Sequence, residues 1–262
     1  MGGLNSLGAY KVELDAGFFI DEFILGDSEL GGDDTLGGSI SFFDVTEYVI
    51  NVQIKRGRDS QDAQFGAGTC TIVIDDLLAQ DKFNVANSAS PYWNIERGRL
   101  GFEPRRRVRI SRDGEFLFVG IIMAYDTEFS MDNHNMVTVR CADAFTLLTT
   151  TSISPFTPPA EESGLRVDRI LGLPEIGFPT DPAPIIQTGV ANLSSVQVDA
   201  QTPLTYINKI IESAEQGRCY INRSGALVFE SRTPKATNDA SSIEFKDDGT
   251  GAAYNSLEVI YE

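Results

Sequence analysis

Apolar and polar residues alternate along much of this chain with a period of two, which is the pattern of β-strands that bury one face. The alternation is clearest where Val108 and Ile110 interleave with arginines. Asp113-Gly114 separates that run from an apolar run at 116–125. Asp-Gly in this position predicts a tight hairpin, because a type I′ turn needs positive φ at both central residues. A third run covers 137–141, so the pattern predicts an antiparallel sheet.

Two earlier runs extend this sheet, and we expect residues 45–151 to form a first β-barrel. The alternating apolar positions are Ile50, Val52 and Ile54 in one run and Cys70, Ile72 and Ile74 in the other. Residues 76–99 interrupt the alternation and contain two adjacent aromatic residues, Tyr92 and Trp93. This pair either anchors an interface or covers the open end of the barrel, and the sequence leaves both interpretations open.

The first 44 residues are rich in glycine and aspartate, and we expect residues 1–44 to form an N-terminal arm outside the barrel. Gly31-Gly32-Asp33-Asp34 and Gly37-Gly38 indicate loop. Phe18-Phe19 and the aliphatic residues near them are unusual for a disordered segment. The alternatives are an arm that orders against a neighbouring subunit and a disordered terminus, and the apolar cluster favours the docked arm.

Residues 152–240 predict a smaller α+β domain that begins with a proline-rich linker, because prolines there break regular structure. A helix follows Thr202, which is a good N-cap. Pro203 suits the first helical position and Gly217 suits the C-terminal cap. Residues 241–262 predict the start of a second β domain or a return strand.

Seven segments of the chain follow one another in a particular order. They are Lys55-Arg56-Gly57-Arg58, the strand 68–76, the hairpin 108–122, the strand 137–143, a short helix 163–171, a longer helix 203–217 and the hairpin 219–229. This order resembles the N-terminal region of minor tail proteins and baseplate (tail-tip) hub proteins of tailed bacteriophages. The resemblance covers roughly residues 45–262.

The resemblance implies a mainly β fold with minor α: an antiparallel β-barrel of the phage hub or tail-tube type plus a small α+β domain. It implies a structural protein of the virion tail tip, assembled in the host cytoplasm. In such proteins two barrels per subunit make a pseudo-sixfold ring in a homotrimer. The ring joins the tail tube to the central spike or fibre and surrounds the DNA exit channel. The implied partners are other copies of the chain, distal tail or tail-tube ring proteins, the tape measure protein and other tail-tip proteins.

Composition argues against cofactors and against affinity for nucleic acid. The formal net charge of -17 opposes binding to phosphates, which needs Lys and Arg on the contact face, so we expect DNA to pass through the lumen without specific binding. Cys70, Cys141 and Cys219 are dispersed and odd in number, which fits buried reduced thiols better than disulfides. The single histidine, His134, lies in a polar turn, and we expect no metal site and no other cofactor.

We expect no enzyme activity, because the sequence has no phosphate-binding loop, no nucleophile elbow and no zinc-protease helix. The runner-up function is a carbohydrate-binding adhesin module that recognises the host cell envelope, with Tyr92 and Trp93 stacking on sugars. A weaker third possibility is an enzyme that acts on cell-wall polysaccharide.

We predict that the candidate functional residues form an interface. Seven arginines lie within sixteen positions: Arg97, Arg99, Arg105, Arg106, Arg107, Arg109 and Arg112. Arg105, Arg107 and Arg109 share one face of the predicted strand, and we predict that they bind an acidic neighbour. The alternative is a cluster at a strand edge that blocks unwanted pairing.

Overall fold

The computed structural model describes residues 9–20, 39–58, 64–76, 79–95, 97–129 and 135–232. Its strands are β1 Tyr10–Ile20, β2 Ser39–Asp44, β3 Val49–Lys55, β4 Thr69–Asp75, β5 Trp93–Asn94, β6 Arg99–Leu100, β7 Arg107–Arg112, β8 Glu115–Glu128, β9 Met136–Ala142, β10 Glu161–Glu162, β11 Ile185–Ile186, β12 Asn192–Leu193, β13 Arg218–Ile221 and β14 Leu227–Glu230. Its helices are a 3₁₀ turn Thr46–Tyr48, α1 Phe145–Thr150, α2 Ser163–Leu171 and α3 Pro203–Ile210, which continues into a π turn Ile211–Glu215.

The main element is a seven-stranded antiparallel sheet in the order β2-β1-β7-β8-β9-β4-β3. The two edge strands, β2 and β3, are consecutive in the chain and are joined by the 3₁₀ turn. A cleft of about 410 Å³ lies between β3 and side chains of β1, β7 and β8, so the sheet curls until its last strand faces its middle. The predicted fold class, mainly β with minor α, is confirmed.

The prediction that residues 1–44 form an arm outside the barrel is wrong for the residues of strand β1. It lies inside the sheet between β2 and β7, and Val12, Leu14 and Ala16 are buried in the barrel core. The periodicity of these three residues already carries the strand signal, and the glycine-rich sequence after them obscured it. Residues 1–8 and 21–38 of the predicted arm lie outside the described residues.

The centre of the sheet follows the predicted alternation. Cys70 pairs with Cys141 across β4 and β9, and Ile72 pairs with Val139 in the same register. All four side chains are buried, and the three cysteines are free thiols. The prediction that the cysteines are buried is confirmed.

The edge of the sheet departs from the alternation at β3. Val52 and Ile54 pack against the barrel core, but Ile50 is 57% exposed. The register with β4 shifts between Val49 and Asn51, and such an irregularity rotates a side chain off the buried face. Ile50 is therefore not the core residue that the sequence predicted.

A second core begins before the predicted boundary at residue 151. Phe145 and Leu148 of α1 pack with Val167, Ile207 and Phe229 rather than with the barrel core. Residues 152–184 contribute to this second core as well, so they are part of the α+β unit and not a linker. The predicted start of a second β domain at 241–262 lies outside the described residues.

Helix α3 begins as predicted and ends differently. The Thr202 hydroxyl accepts a hydrogen bond from the Thr205 backbone N–H, and Pro203 occupies the first turn. Gln216, with φ 54°, takes the left-handed position expected of Gly217. Gly217 instead lies against the Glu230 backbone, where a β-carbon would come within 2.0 Å of the carbonyl oxygen. The glycine is required for close packing and not for the helix cap.

A buried carboxylate at the end of α3, that of Glu215, links several elements of the α+β unit (the second unit). Glu215 is fully buried and accepts hydrogen bonds from the Ser163 hydroxyl at 2.5 Å and from the Ala191 backbone N–H at 2.9 Å. Burial raises the pKa of Glu215, but these donors and the Val190 and Arg232 N–H groups outweigh burial, so the pKa lies below its ordinary value. The carboxylate thus joins α2, the loop before β12 and the end of β14.

Asp143 connects the seven-stranded sheet with the α+β unit. One carboxylate oxygen accepts from the Gly68 backbone N–H at 2.8 Å and the other from the Phe145 N–H at 3.0 Å. Burial raises the pKa of Asp143 to about 6, although these donors and the charge of Arg56 act in the opposite direction. The carboxyl group therefore takes up a proton at higher pH in the folded chain than in the unfolded chain.

We predict that Asp143 stabilises the fold as pH falls. A raised folded-state pKa contributes stability that is complete below the unfolded value of 3.8 and is lost as pH rises through about 6. The free energy of unfolding of the natural chain minus that of Asp143→Asn should increase by about 2 kcal/mol between pH 7 and pH 4. Urea denaturation across this range measures it, with the exposed Asp199→Asn as control. A difference that decreases toward low pH would show that the Gly68, Phe145 and Arg56 interactions dominate.

Candidate functional site

The structure separates the arginines that the sequence grouped. Arg109 is paired inside the chain: its Nε donates to Glu13 at 2.7 Å, and its guanidinium stacks at 3.9 Å from the centre of the Phe42 ring. Arg107 lies 3.5 Å from Asp181 of the second unit. Arg109 is therefore held within the chain, Arg107 approaches a largely exposed Asp181, and the interface predicted at Arg105, Arg107 and Arg109 stays a prediction.

Glu13 explains why Arg109 is held. Its side chain is buried in β1, and burial raises its pKa, but the hydrogen bonds and charges of Arg109 and Lys11 outweigh burial. The pKa of Glu13 therefore lies below its ordinary value. Removing Arg109 would leave a buried carboxylate with only the exposed Lys11 beside it, which is costly in the interior of a protein.

A different set of arginines surrounds Glu103, and in it Arg97 and Arg99 are half-exposed while Arg106 is mostly buried. The Glu103 carboxylate contacts Arg97 at 2.5 Å, Arg99 at 2.6 Å and Arg106 at 3.0 Å. We call Arg97, Arg99, Arg105 and Arg106, with Glu103 among them, the arginine patch. Residues 97–106 hold four of the 21 Lys and Arg residues of the chain and one of its 38 Asp and Glu residues. The patch is positively charged on a chain that is strongly acidic.

The loop that carries the arginine patch is anchored in the barrel core. Leu100 and Phe102 are buried there, on either side of Gly101. A β-carbon on Gly101 would lie 2.1 Å from the carbonyl oxygen of Ala16, so the loop lies directly on the backbone of β1. The arginines of the patch are therefore displayed from a fixed backbone.

Arg106 is placed by a second glycine. A β-carbon on Gly17 would lie 2.1 Å from Cζ of Arg106, so the guanidinium occupies space that only glycine leaves open. Gly17 has φ 72°, and the register between β1 and β2 shifts between Asp15 and Phe19. This irregularity in β1 makes room for the innermost arginine of the patch.

Arg105 has a strained backbone and an exposed side chain. Its φ is 73°, and its N–H donates to the carbonyl of Ile122 at 2.7 Å. Left-handed backbone costs a residue with a β-carbon on the order of 1 kcal/mol. Within the described part of the chain, Arg105 makes no ion pair. Strain at such a position often accompanies a functional role.

The aromatic pair is divided between core and surface. Tyr92 is only 7% exposed, and its ring lies 4.7 Å from that of Phe102 and 5.2 Å from that of Phe83. Burial raises the pKa of Tyr92 to about 12. Trp93 is partly buried in β5 opposite Leu100. Tyr92 therefore covers the barrel core, and the interpretation of Tyr92 as an exposed interface anchor is wrong.

Two functional features were missed from the sequence. Glu103 organises the arginine patch, and Ile95 is 88% exposed in the turn between β5 and β6. The sequence signal for Glu103 is its place as the single acidic residue among the arginines of 97–106. The sequence does not indicate that Ile95 is exposed, because the residue type alone does not distinguish an exposed isoleucine from a buried one.

Among the residues that the structure describes, no three His, Cys, Asp or Glu side chains come together as a metal site. His134 lies outside those residues. In the same part of the chain, none of the helices has the length and hydropathy of a membrane span.

We predict that Gly101→Ala destabilises the fold, because the added β-carbon meets the backbone of β1, which is held on both sides by neighbouring strands. Overpacking of this kind costs about 1–3 kcal/mol of unfolding free energy. Urea denaturation measures the loss. Gly66→Ala is the control, since a β-carbon there meets nothing within 4 Å and should change the stability little. Equal stability of the two variants would mean that the loop is not fixed on β1.

We predict that Arg105→Gly keeps or raises the stability, by up to about 1 kcal/mol, because glycine adopts the left-handed backbone without strain. Arg112→Gly, in β7, is the control and should lose about 0.5–1 kcal/mol. Thermal and urea denaturation compare the variants. A clear loss for Arg105→Gly would mean that the arginine side chain stabilises the isolated chain.

The chain is similar to known proteins in its fold and not in its sequence. No protein-family model matches the chain, and no curated protein matches its sequence. A tail protein from Neisseria meningitidis matches 84% of this chain over 50% of its own length, with 11% identity and a TM-score of 0.47. The 43 kDa tail protein of prophage MuSo2 from Shewanella oneidensis matches 86% over 54%, with 13% identity and a TM-score of 0.42.

A third solved structure is a type VI secretion component of E. coli, described as similar to bacteriophage T4 tail proteins. It matches 68% of this chain over 48% of its own length, with 12% identity and a TM-score of 0.39. The chain spans about half the length of each of these proteins. The three solved structures are thus two tail proteins and a component of a type VI secretion system.

Proposed function

We propose that this chain is a structural protein of a bacteriophage tail tip, where it forms part of a hub ring between the tail tube and the central spike or fibre. The described elements from β3 to β14 follow the order of strands, hairpins and helices on which the sequence resemblance rests. The location that we propose is the tail tip of the virion, after assembly in the host cytoplasm. The partners are other copies of the chain and the neighbouring tail proteins.

The arginine patch is the observation that carries this proposal. It is a positively charged surface on a fixed loop, within a chain of net charge -17. A preorganised set of arginines loses little conformational entropy on binding, and it selects partners with complementary charge. Such a surface suits a permanent position in an assembly of acidic subunits.

The ring that we propose is a homotrimer that surrounds the DNA exit channel. An acidic lumen would repel the phosphates of the passing duplex and so keep DNA from adhering to the wall. The excess of 38 acidic over 21 basic residues supports this part of the proposal. Specific binding of nucleic acid is not part of it.

The proposal contains no enzymatic step. Burial raises the pKa of Cys70 and of Cys219 to about 12, which keeps both thiols protonated and unreactive at neutral pH. The proposed function depends on shape and on contacts between subunits.

The alternative function, a carbohydrate-binding adhesin, rested on Tyr92 and Trp93 as a pair of exposed stacking surfaces. Tyr92 is buried among Phe43, Phe83 and Phe102 and cannot stack on a sugar. Only Trp93 keeps partial exposure, and a single half-buried ring is a small platform. We therefore favour the hub over the adhesin.

We expect the complete gene product that contains this chain to form a trimer. Size-exclusion chromatography with light scattering measures its mass, and residues 1–262 are run beside it. A monomer at high micromolar concentration would contradict a self-assembling hub. Binding to host-envelope glycans that Trp93→Ala abolishes would restore the adhesin.

A further inference from the structure

We propose that the arginine patch, together with Ile95, binds an acidic face of a second copy of this chain, in a head-to-tail contact. The inference rests on the proposed function, because it assigns the contact by which the ring forms. It moves the interface away from Arg107 and Arg109, which are paired within the chain, to the loop 95–106.

The arginines of the patch retain donors for a partner. The side chains of Arg97 and Arg99 are 50% and 59% exposed, and each contacts Glu103 through a terminal nitrogen. A guanidinium has five N–H donors, so most of those of Arg97 and Arg99 remain available. One carboxylate shared by three guanidinium groups leaves the patch with excess positive charge, and Arg105 adds a further exposed cation.

Ile95 supplies an apolar contact next to these charges. It lies in the turn between β5 and β6, whose strands pair Asn94 with Arg99. In the same turn, the Arg97 backbone N–H donates to the Asn94 side chain at 3.0 Å, which fixes the turn. Glu96 lies between them in sequence, outside the described residues, and the charge from 95 to 106 stays positive with it included. Arginine is enriched at protein interfaces, and the exposed Ile95, close to these arginines in sequence, adds apolar area.

The backbone conformation of Arg105 also supports a role in binding a second copy. The chain keeps an arginine where glycine would fit the left-handed φ of 73° without strain. Its N–H holds the loop on β8, and its charged end is left without an ion pair among the described residues. The left-handed backbone costs the isolated chain on the order of 1 kcal/mol, whereas the exposed cation is available to a partner.

A second copy fits the patch better than nucleic acid does. Apart from residues 97–106, the chain holds 17 of its 21 basic residues and 37 of its 38 acidic residues, so the rest of a second copy is strongly acidic. That acidity also repels phosphates, and Ile95 has no role in a phosphate contact. Because the patch and its acidic complement are different surfaces, the contact is heterologous, and a heterologous contact builds a ring when the rotation between subunits closes.

The test uses the complete gene product with Arg97→Glu, Arg99→Glu and Arg105→Glu combined. The matched control reverses three exposed cations elsewhere, Arg58→Glu, Arg140→Glu and Lys209→Glu, with the same change in net charge. Arg106 is kept, because its guanidinium lies over Gly17 in β1. Circular dichroism and melting temperature check that both variants fold.

We expect the patch variant to associate about 100-fold more weakly than the control, by light scattering across a concentration series. Association of the natural protein should weaken between 50 mM and 500 mM salt. An excess of patch variant should cap the natural protein at small oligomers, because the variant retains its acidic face. If the contact were isologous, the patch variant would lack the only binding surface and would not cap the natural protein.

The outcomes separate the inference from the proposed function. A trimer that persists in the patch variant overturns the inference and leaves the hub standing. A natural protein that never associates overturns both. Duplex DNA bound by the natural protein but not by the patch variant, in fluorescence polarisation, would assign the patch to phosphates and also overturn the inference.

Discussion

Strand β1 is the constraint on which both the barrel and the arginine patch depend. It lies between β2 and β7 and buries one face in the core, so it cannot shift without opening the sheet. Three of its residues receive groups from the arginine-rich region, and together they fix where that region can lie. The contacts are Glu13 with Arg109, Ala16 with Gly101, and Gly17 with Arg106.

These contacts divide the arginines into two classes. Arg109 neutralises a buried carboxylate, and breaking a buried pair by removing one partner typically costs several kcal/mol. It therefore serves the fold. Arg97 and Arg99 make half-exposed contacts, which contribute about 0–1 kcal/mol in such surroundings and can be exchanged for contacts with a partner. Seven arginines close in sequence thus include side chains with opposite roles.

Local sequence patterns predicted correctly those features that depend on residues close together in the chain. Asp113-Gly114 forms the predicted hairpin, with φ of 52° and 85° at its two residues. The alternation around Cys70 and Cys141 gives the correct buried face, because a period of two in the middle of a sheet leaves no other choice. The alternation failed at Ile50, where an irregular register at the sheet edge turned the side chain outward.

The patch could not be predicted because its geometry comes from residues far apart in the chain. Charge spacing alone placed Arg105, Arg107 and Arg109 on one strand face, but the strand begins at Arg107. Arg105 is in the loop before it, with a left-handed backbone that is not part of the strand. The close approach of Gly101 to Ala16 spans 85 positions and leaves no periodic signal in the sequence.

The same long-range contacts account for only part of the basic surface on this acidic chain. Arg106 and Glu103 are fixed by the loop's contact with β1, so the loop must keep a compact cluster of charge to satisfy both. That requirement needs one arginine and one glutamate, whereas the loop carries three further arginines. Fold stability accounts for the inner pair only. The outer three, one of them strained, are explained by a partner whose surface is acidic.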